Sequence, residues 1–300
     1  MRRLKRLVIA GSVVIAIFMA LVPVYIAEGA VHGWARRQPD PAEADMVAQA
    51  SSATWQSVRI AAADGAPLSA WLFAPRQPNG GAVILLHGVD DTRRGVRYHA
   101  IYLLQAGFTV LAPDSRGHGA SGGGLLTYGI REAYDIHAWA DALFRSGRID
   151  RLYGLGESMG AAVLLQSLPR EPRFRAVVAE CPFSTLEDEA CDRIGHISRL
   201  GRWASWPIAQ TGFLYVRLRY DVDLKQASPA AAIRATQVPV LLIHGARDVI
   251  IPPIHSRTLH ALNPRATTLW LVPGAAHVRA SIECHEEFVQ RVVEWFQSHP

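Results

Sequence analysis

Cysteine is scarce. The chain has three, Cys181, Cys191 and Cys284, too few for a disulfide framework. In an oxidising compartment Cys181 and Cys191 could pair across a short loop and leave Cys284 free; the alternative is two small buried apolar residues. Histidines number twelve, yet none falls in a metal-binding spacing such as His-Glu-x-x-His, which argues against a zinc enzyme. There is no glycine-rich nucleotide loop, no internal repeat and no low-complexity run. The net charge is only +5, and beyond the N-terminus the cationic residues are not gathered into a tract, so nucleic acid is not an expected partner. Long apolar runs are missing too, with one exception.

That exception lies at the start. "MRRLKR" leads into Leu7–Ala27, 21 residues without a charge. At about 1.5 Å per residue a helix of that length covers the ~30 Å hydrocarbon layer. Arg2, Arg3, Lys5 and Arg6 would stay in the cytoplasm, which puts the catalytic body on the extracytoplasmic side of a single-pass, membrane-anchored protein. Residues 1–27 are therefore expected as a membrane anchor. The small residues of "AEG" at 27–29 leave a cleaved signal peptide as the competing reading. Residues 28–54 are polar, with alanine and proline, and are expected as a juxtamembrane linker. Residues 55–300 then form one domain, and with half of the chain apolar a full core is available.

From residue 55 strands and helices alternate. "WQSVRIAA" and "LSAWLFAP" flank "ADGAP" as a hairpin. "GAVILLHG" is a continuous apolar run, a strand buried on both faces. A helix near Tyr98–Ala106 follows, then the strand "FTVLAPD", a long helix over about Ile130–Phe144, the strand "RLYGLG", a helix from Ser158 to Leu168, and the strand "AVVAEC". After an interruption come "VPVLLIHG", a helix near His255–Leu262, the strand "TTLWLVPG" and a final helix ending "FVQRVVEWFQ". This pattern predicts an α/β fold, a mostly parallel sheet covered by helices on both faces. Active residues in such sheets sit on loops beyond the carboxyl ends of the strands.

"GLGESMGAA" passes from strand to helix with no loop residues to spare. The residue at the apex of so tight a turn is strained, and its neighbours two positions away must lack bulk; Gly156 and Gly160 meet that need around Ser158. Other strand ends carry His87 and Gly88, then Asp114, Arg116 and His118, then Asp248, then His277. A serine hydroxyl needs a base within reach, and an imidazole base needs a carboxylate to fix its tautomer. Ser158, Asp248 and His277 supply these in chain order, each beyond its own strand. His87 and His118 precede glycines in tight loops and are expected to stabilise those loops.

From about Trp55 to Trp295 the chain resembles the α/β-hydrolase superfamily, and within it the membrane-anchored serine hydrolases of the Bem46-like and serine-aminopeptidase-like group. The resemblance rests on "HG" at 87–88, "DSRGHGAS" at 114–121, "GESMG" at 156–160, "SPAAAI" at 228–233, "PVLLIHGARDVIIP" at 239–252 and "GAAH" at 274–277. It implies Ser158 as nucleophile, Asp248 as acid, His277 as base, and the backbone N–H groups of Val89 and Met159 as the oxyanion hole, with no cofactor or metal. The implied activity is cleavage of a carboxylic ester or thioester with an acyl or lipid-like substrate. Acyl transfer or peptide cleavage by the same triad, or a catalytically silent binding scaffold, are the alternatives, because the superfamily's fold does not fix its substrate. Two features depart from the pattern: Ala161 stands where a third glycine is common, and Asp90 and Asp91 follow the oxyanion loop. A carboxylate near the oxyanion would hinder the reaction, so both aspartates are expected to point away.

The interruption over about 183–232 is too long for a simple connection, and the resemblance makes it a short helical cap over the active site. Between Arg193 and Tyr220 it has Arg193, Arg199, Arg202, Arg217 and Arg219 and no acidic residue, interleaved with Trp203, Trp206, Phe213, Tyr215 and Tyr220. Such a segment is either a solvated arginine face above an aromatic core or a surface for anionic lipid headgroups and acyl substrates.

Overall fold

The computed structural model describes residues 21–32, 38–199 and 201–300. Eight strands form one sheet in the order β1-β2-β4-β3-β5-β6-β7-β8. They are β1 (Thr54–Ala61), β2 (Pro67–Ala74), β3 (Gly81–Leu86), β4 (Thr109–Pro113), β5 (Arg151–Glu157), β6 (Phe174–Glu180), β7 (Val240–Gly245) and β8 (Thr267–Val272). The β1–β2 and β2–β4 pairs are antiparallel, and every other pair is parallel. The expected hairpin and buried strands are all present. Every residue of β3 and β7 is buried, as continuous apolar runs in a sheet covered on both sides require.

Alternation along each strand divides the core in two. Ala82, Ile84 and Leu86 of β3 face one side, together with Ile136, Trp139 and Leu143 of the helix Glu132–Arg145, Leu164 of Met159–Ser167 and Leu259 of Ile254–Leu262. Val83 and Leu85 face the other, with Leu103 of the helix Arg97–Gln105 and Phe288, Val292 and Phe296 of His285–Gln297. The two-residue period of a strand places successive side chains on opposite faces.

Of the two N-terminal expectations, only the linker is revised by the described residues. Residues 1–20, with most of the Leu7–Ala27 run, lie outside the described residues, as do 33–37 of the expected linker. Residues 21–32 are helical (α1), and among the described residues no helix is long and apolar enough to cross a membrane. From the end of the expected anchor through the expected linker, the described chain is not a plain tether. Ala27 and Val31 of α1 are buried against the cap. A second helix, α2 (Pro41–Ser51), buries Ala44 and Val47 in the sheet's second core. Asp40 starts α2 by accepting the Ala42 N–H, and Pro41 occupies a position where its missing donor costs nothing.

The cap is two helices, Leu186–Ser198 and Gly201–Tyr220, followed by a short 3₁₀ turn and the helix Pro229–Ala235. Its arginines do not form a bare cationic face. Arg193 pairs with Glu189 at 2.6 Å, Arg202 with Asp188 and, at 2.7 Å, with Asp192, and Arg219 lies over the Tyr220 ring. The carboxylates come from the first cap helix, just upstream of the acid-free stretch. Trp203 (94 % exposed), Leu214 and Leu218 (77 %) remain on the outer surface of the second cap helix. Cys181 and Cys191 are free, buried thiols.

Candidate active site

Ser158 stands between β5 and the helix Met159–Ser167 with φ 52° and ψ −116°, a backbone conformation that non-glycine residues rarely adopt. The turn has no room for bulk beside it. A Cβ on Gly156 would stand 2.6 Å from the Gly160 carbonyl carbon and oxygen, and one on Gly160 would stand 2.6 Å from the carbonyl oxygens of Leu86 and His87. The steric demand read from the two glycines is therefore real. Fully buried Ala161 follows on the helix. The Ser158 N–H donates to the Glu180 carbonyl oxygen at 2.8 Å, which ties the apex to the end of β6.

The three strand-end residues meet. Ser158 Oγ lies 2.9 Å from His277 Nε2, and His277 Nδ1 lies 2.6 Å from Asp248 Oδ2. Asp248 is buried, and its Oδ1 accepts the N–H groups of Ile250 and Ile251, each at 2.9 Å. Burial opposes its charge, but hydrogen bonds from His244 and His277 prevail and hold its carboxyl well below the usual range. His277 hangs from a loop whose next residue, Val278, has φ 52°, and the Val278 N–H points at Cys181 Sγ at 3.5 Å. A β-branched residue at positive φ is a strained link, here fixing the ring between Asp248 and Ser158.

The expected oxyanion donors are the N–H groups of Met159, next to the serine, and of Val89, next to Gly88. The Met159 N–H belongs to the first turn of its helix, whose leading donors no intrahelical carbonyl serves. Gly88 packs against Ser158: a Cβ there would stand 3.5 Å from Ser158 Cβ. Half-buried Val89 comes next and lines a cavity under the cap. Asp91 turns into its own loop, accepting the Thr92 N–H at 2.7 Å. Exposed Asp90 lines the cavity beside Val89.

His87 and His118 hold their loops, as read. His87 joins two loops, its Nδ1 2.7 Å from the Gly88 carbonyl oxygen and its Nε2 accepting the Ser115 N–H at 3.0 Å; burial and the neighbouring His118 push its imidazole down to about 4. His118 Nδ1 contacts the Arg116 carbonyl oxygen. Asp114 pairs with Arg93 at 2.6 Å, and Arg116 grips Asp135 through two hydrogen bonds.

Three groups escaped the sequence reading. His244, four residues before Asp248, sets its Nε2 2.8 Å from the Ile251 carbonyl oxygen and 3.3 Å from Asp248 Oδ2. Its place at the end of "LLIHG" was the available signal. Beneath the elbow, His99 Nε2 meets Glu157 Oε1 at 2.5 Å, while buried Glu180 accepts the Ala280 N–H on one oxygen and has no partner among the described residues on the other. Burial and the Glu157 carboxylate push Glu180 up to about 8, with His99 opposing. A second serine, histidine and aspartate also come together: Ser184 N–H and Oγ meet His255 Nδ1, and His255 Nε2 lies 3.2 Å from Asp192. There the ring is buried and turned the other way, and it joins the cap to the body. Two of these groups gather three potential metal ligands each, Cys181/His244/Asp248 and His99/Glu157/Glu180. In the first set, a metal would displace the hydrogen bonds that orient His277.

Known proteins share this fold and sequence family. The model of the prolyl oligopeptidase family matches residues 94–299. The uncharacterized protein YqkD of Bacillus subtilis is 28% identical over 244 residues, which cover 80% of this chain and 78% of that one. The esterase Pf2001 of Pyrococcus furiosus superposes with a TM-score of 0.70 at 25% identity, covering 84% of this chain and 95% of the esterase. A puromycin-hydrolyzing peptidase of Mycobacterium tuberculosis shares the fold, with a TM-score of 0.68 at 20% identity over 83% of this chain and 40% of that protein.

Proposed function

Since this chain belongs to the prolyl oligopeptidase family and has the α/β-hydrolase fold, we propose that it is a serine hydrolase cleaving a carboxylic ester or thioester through an acyl-enzyme on Ser158. The observation that carries the reading is the unbroken Ser158–His277–Asp248 hydrogen-bond chain. His277 Nε2 takes the Oγ proton as Oγ attacks the carbonyl carbon, and the N–H groups of Val89 and Met159 receive the oxyanion. Collapse of that adduct expels the alcohol or thiol, which leaves with the proton from His277. Water, deprotonated by the same ring, then attacks the acyl carbon, and as the Oγ–acyl bond breaks the ring returns that proton to Ser158 Oγ, freeing the acid and the enzyme. Asp248 keeps the His277 proton on Nδ1 throughout. The likeness to the Bem46-like group belongs to this proposal and rests on the quoted motifs.

Peptide cleavage by the same residues is the second reading, favoured by the family match. A fluorophosphonate probe tests the nucleophile: labelling should vanish in Ser158→Ala, and an unlabelled folded wild type would turn the reading to a binding scaffold. p-Nitrophenyl esters beside aminoacyl amides decide between ester and peptide cleavage. We place the enzyme at the extracytoplasmic face of a membrane. Support comes from the four N-terminal cations before an uncharged run and from exposed Trp203 and Leu218 on the cap. Protease added outside an intact inner membrane should digest the catalytic body; digestion only after lysis of that membrane reverses the topology.

A further inference from the structure

A cavity of about 340 Å³ lies between the cap and the body, within the size range of small-molecule sites. Its lining includes Val89, next to the Gly88 that packs on Ser158. Leu186 and Ala190 of the first cap helix and Phe213 and Val216 of the second line its sides. A further wall is α1, through Tyr25, Ile26, Ala27, Gly29 and Ala30. That helix is held in place by several polar contacts. Glu28 Oε1 accepts the hydroxyls of Tyr215 at 2.6 Å and Tyr220 at 2.7 Å. The Tyr128 hydroxyl donates to the Ala30 carbonyl oxygen at 3.0 Å, and the Leu126 N–H to the Val31 carbonyl oxygen at 2.8 Å. Gly212 brings the second cap helix close to α1: a Cβ there would stand 3.4 Å from the Pro23 carbonyl oxygen. The charged side chains in the lining largely answer one another, since Arg193 is paired with Glu189 and also feels Asp90. A mostly apolar chamber with its charges compensated suits a hydrocarbon chain and not an ion.

We propose that this cavity binds the acyl chain of the substrate and that α1 is its outer wall, so that residues 21–32 take part in substrate recognition. The inference rests on the serine hydrolase reading and extends it: the substrate class is an ester or thioester of a chain long enough to leave the triad and fill the space beside α1. Each methylene buried there should raise kcat/KM by about fourfold.

The test uses the full chain with p-nitrophenyl acetate and p-nitrophenyl decanoate, and reads the decanoate-to-acetate ratio of kcat/KM. Gly29→Phe fills the cavity from α1 and Ala190→Phe from the cap. Each should lower the ratio at least tenfold. A third variant, Tyr215→Phe with Tyr220→Phe, adds no bulk but releases Glu28; it should lower the ratio as well, and it decides the matter if a filled variant does not fold. A ratio within twofold of wild type in the folded variants overturns the assignment. If wild type labels with fluorophosphonate and cleaves the acetate while the ratio never moves, only the cavity assignment fails. If wild type neither labels nor cleaves either ester, the hydrolase reading fails and this inference falls with it.

Discussion

Replacing Ser158 by glycine and by alanine separates the strain at the elbow from its chemistry. Both variants lack the hydroxyl and its hydrogen bond to His277, so they differ only in a Cβ. That Cβ sits on a backbone at φ 52° and ψ −116°, a region costing a non-glycine residue roughly 1–3 kcal/mol. Glycine adopts it without steric penalty but loses about 0.5–1 kcal/mol more chain entropy on folding. Little packing is lost, because the facing residue is Gly88. The difference leaves Ser158→Gly more stable than Ser158→Ala by roughly 0.5–2 kcal/mol. At about 2 °C per kcal/mol, the low end for domains of 150–250 residues, the glycine variant should melt roughly 1–4 °C higher. Differential scanning calorimetry of the two proteins side by side measures this. An alanine variant that melts at or above the glycine variant refutes the claim that the apex conformation is strained.

Asp248→Asn should lower kcat on the order of 10⁴-fold with the fold intact. The Ile250 and Ile251 N–H groups keep an acceptor at Oδ1, so the amide NH₂ must face His277 Nδ1, forcing the imidazole proton onto Nε2, where it blocks the transfer from Ser158. Near-normal turnover would mean a different acid. Gly160→Ala should destabilise by about 3 kcal/mol or more, because its Cβ would meet two backbone carbonyls of the β3 end, not a yielding side chain; urea unfolding reads the change. Glu180 supplies a pH test. Its folded value is raised from 4.5 to about 8, so between those values the folded state holds a proton that the unfolded chain releases, and this group's contribution to stability falls as pH rises. Glu180→Gln should therefore gain more in melting temperature over wild type at pH 8 than at pH 5, and an equal gain at both would show that Glu180 is not the titrating group.

The parts of the site that were legible in the sequence are those where one short segment states its own constraint. Gly156 and Gly160 announce a turn without space, and Asp248 and His277 each follow a continuous apolar strand, so parallel-sheet geometry alone brings them to one edge. What escaped is built from segments far apart in the chain. His99, Glu157 and Glu180 come from a helix and two strands, and no local pattern links them. The cap's arginines looked unpaired because Asp188, Glu189 and Asp192 lie just outside the acid-free stretch, although Glu189 reaches Arg193 one helical turn on and the helix hairpin brings Asp188 and Asp192 to Arg202. Helix α2 did carry a signal in Asp40 and Pro41, outweighed by the polar composition around it. The N-terminal helix shows the limit most clearly. Leu21 to Ala27 continue an uncharged run, and the run's hydropathy predicts only a need to leave water. Burial against the cap meets that need for Ala27, and Glu28 becomes the hinge of the contact because Tyr215 and Tyr220, almost 200 residues later, present two hydroxyls to it. A pattern read along the chain sees apolar length; only the tertiary fold decides whether that length meets lipid, protein or a substrate.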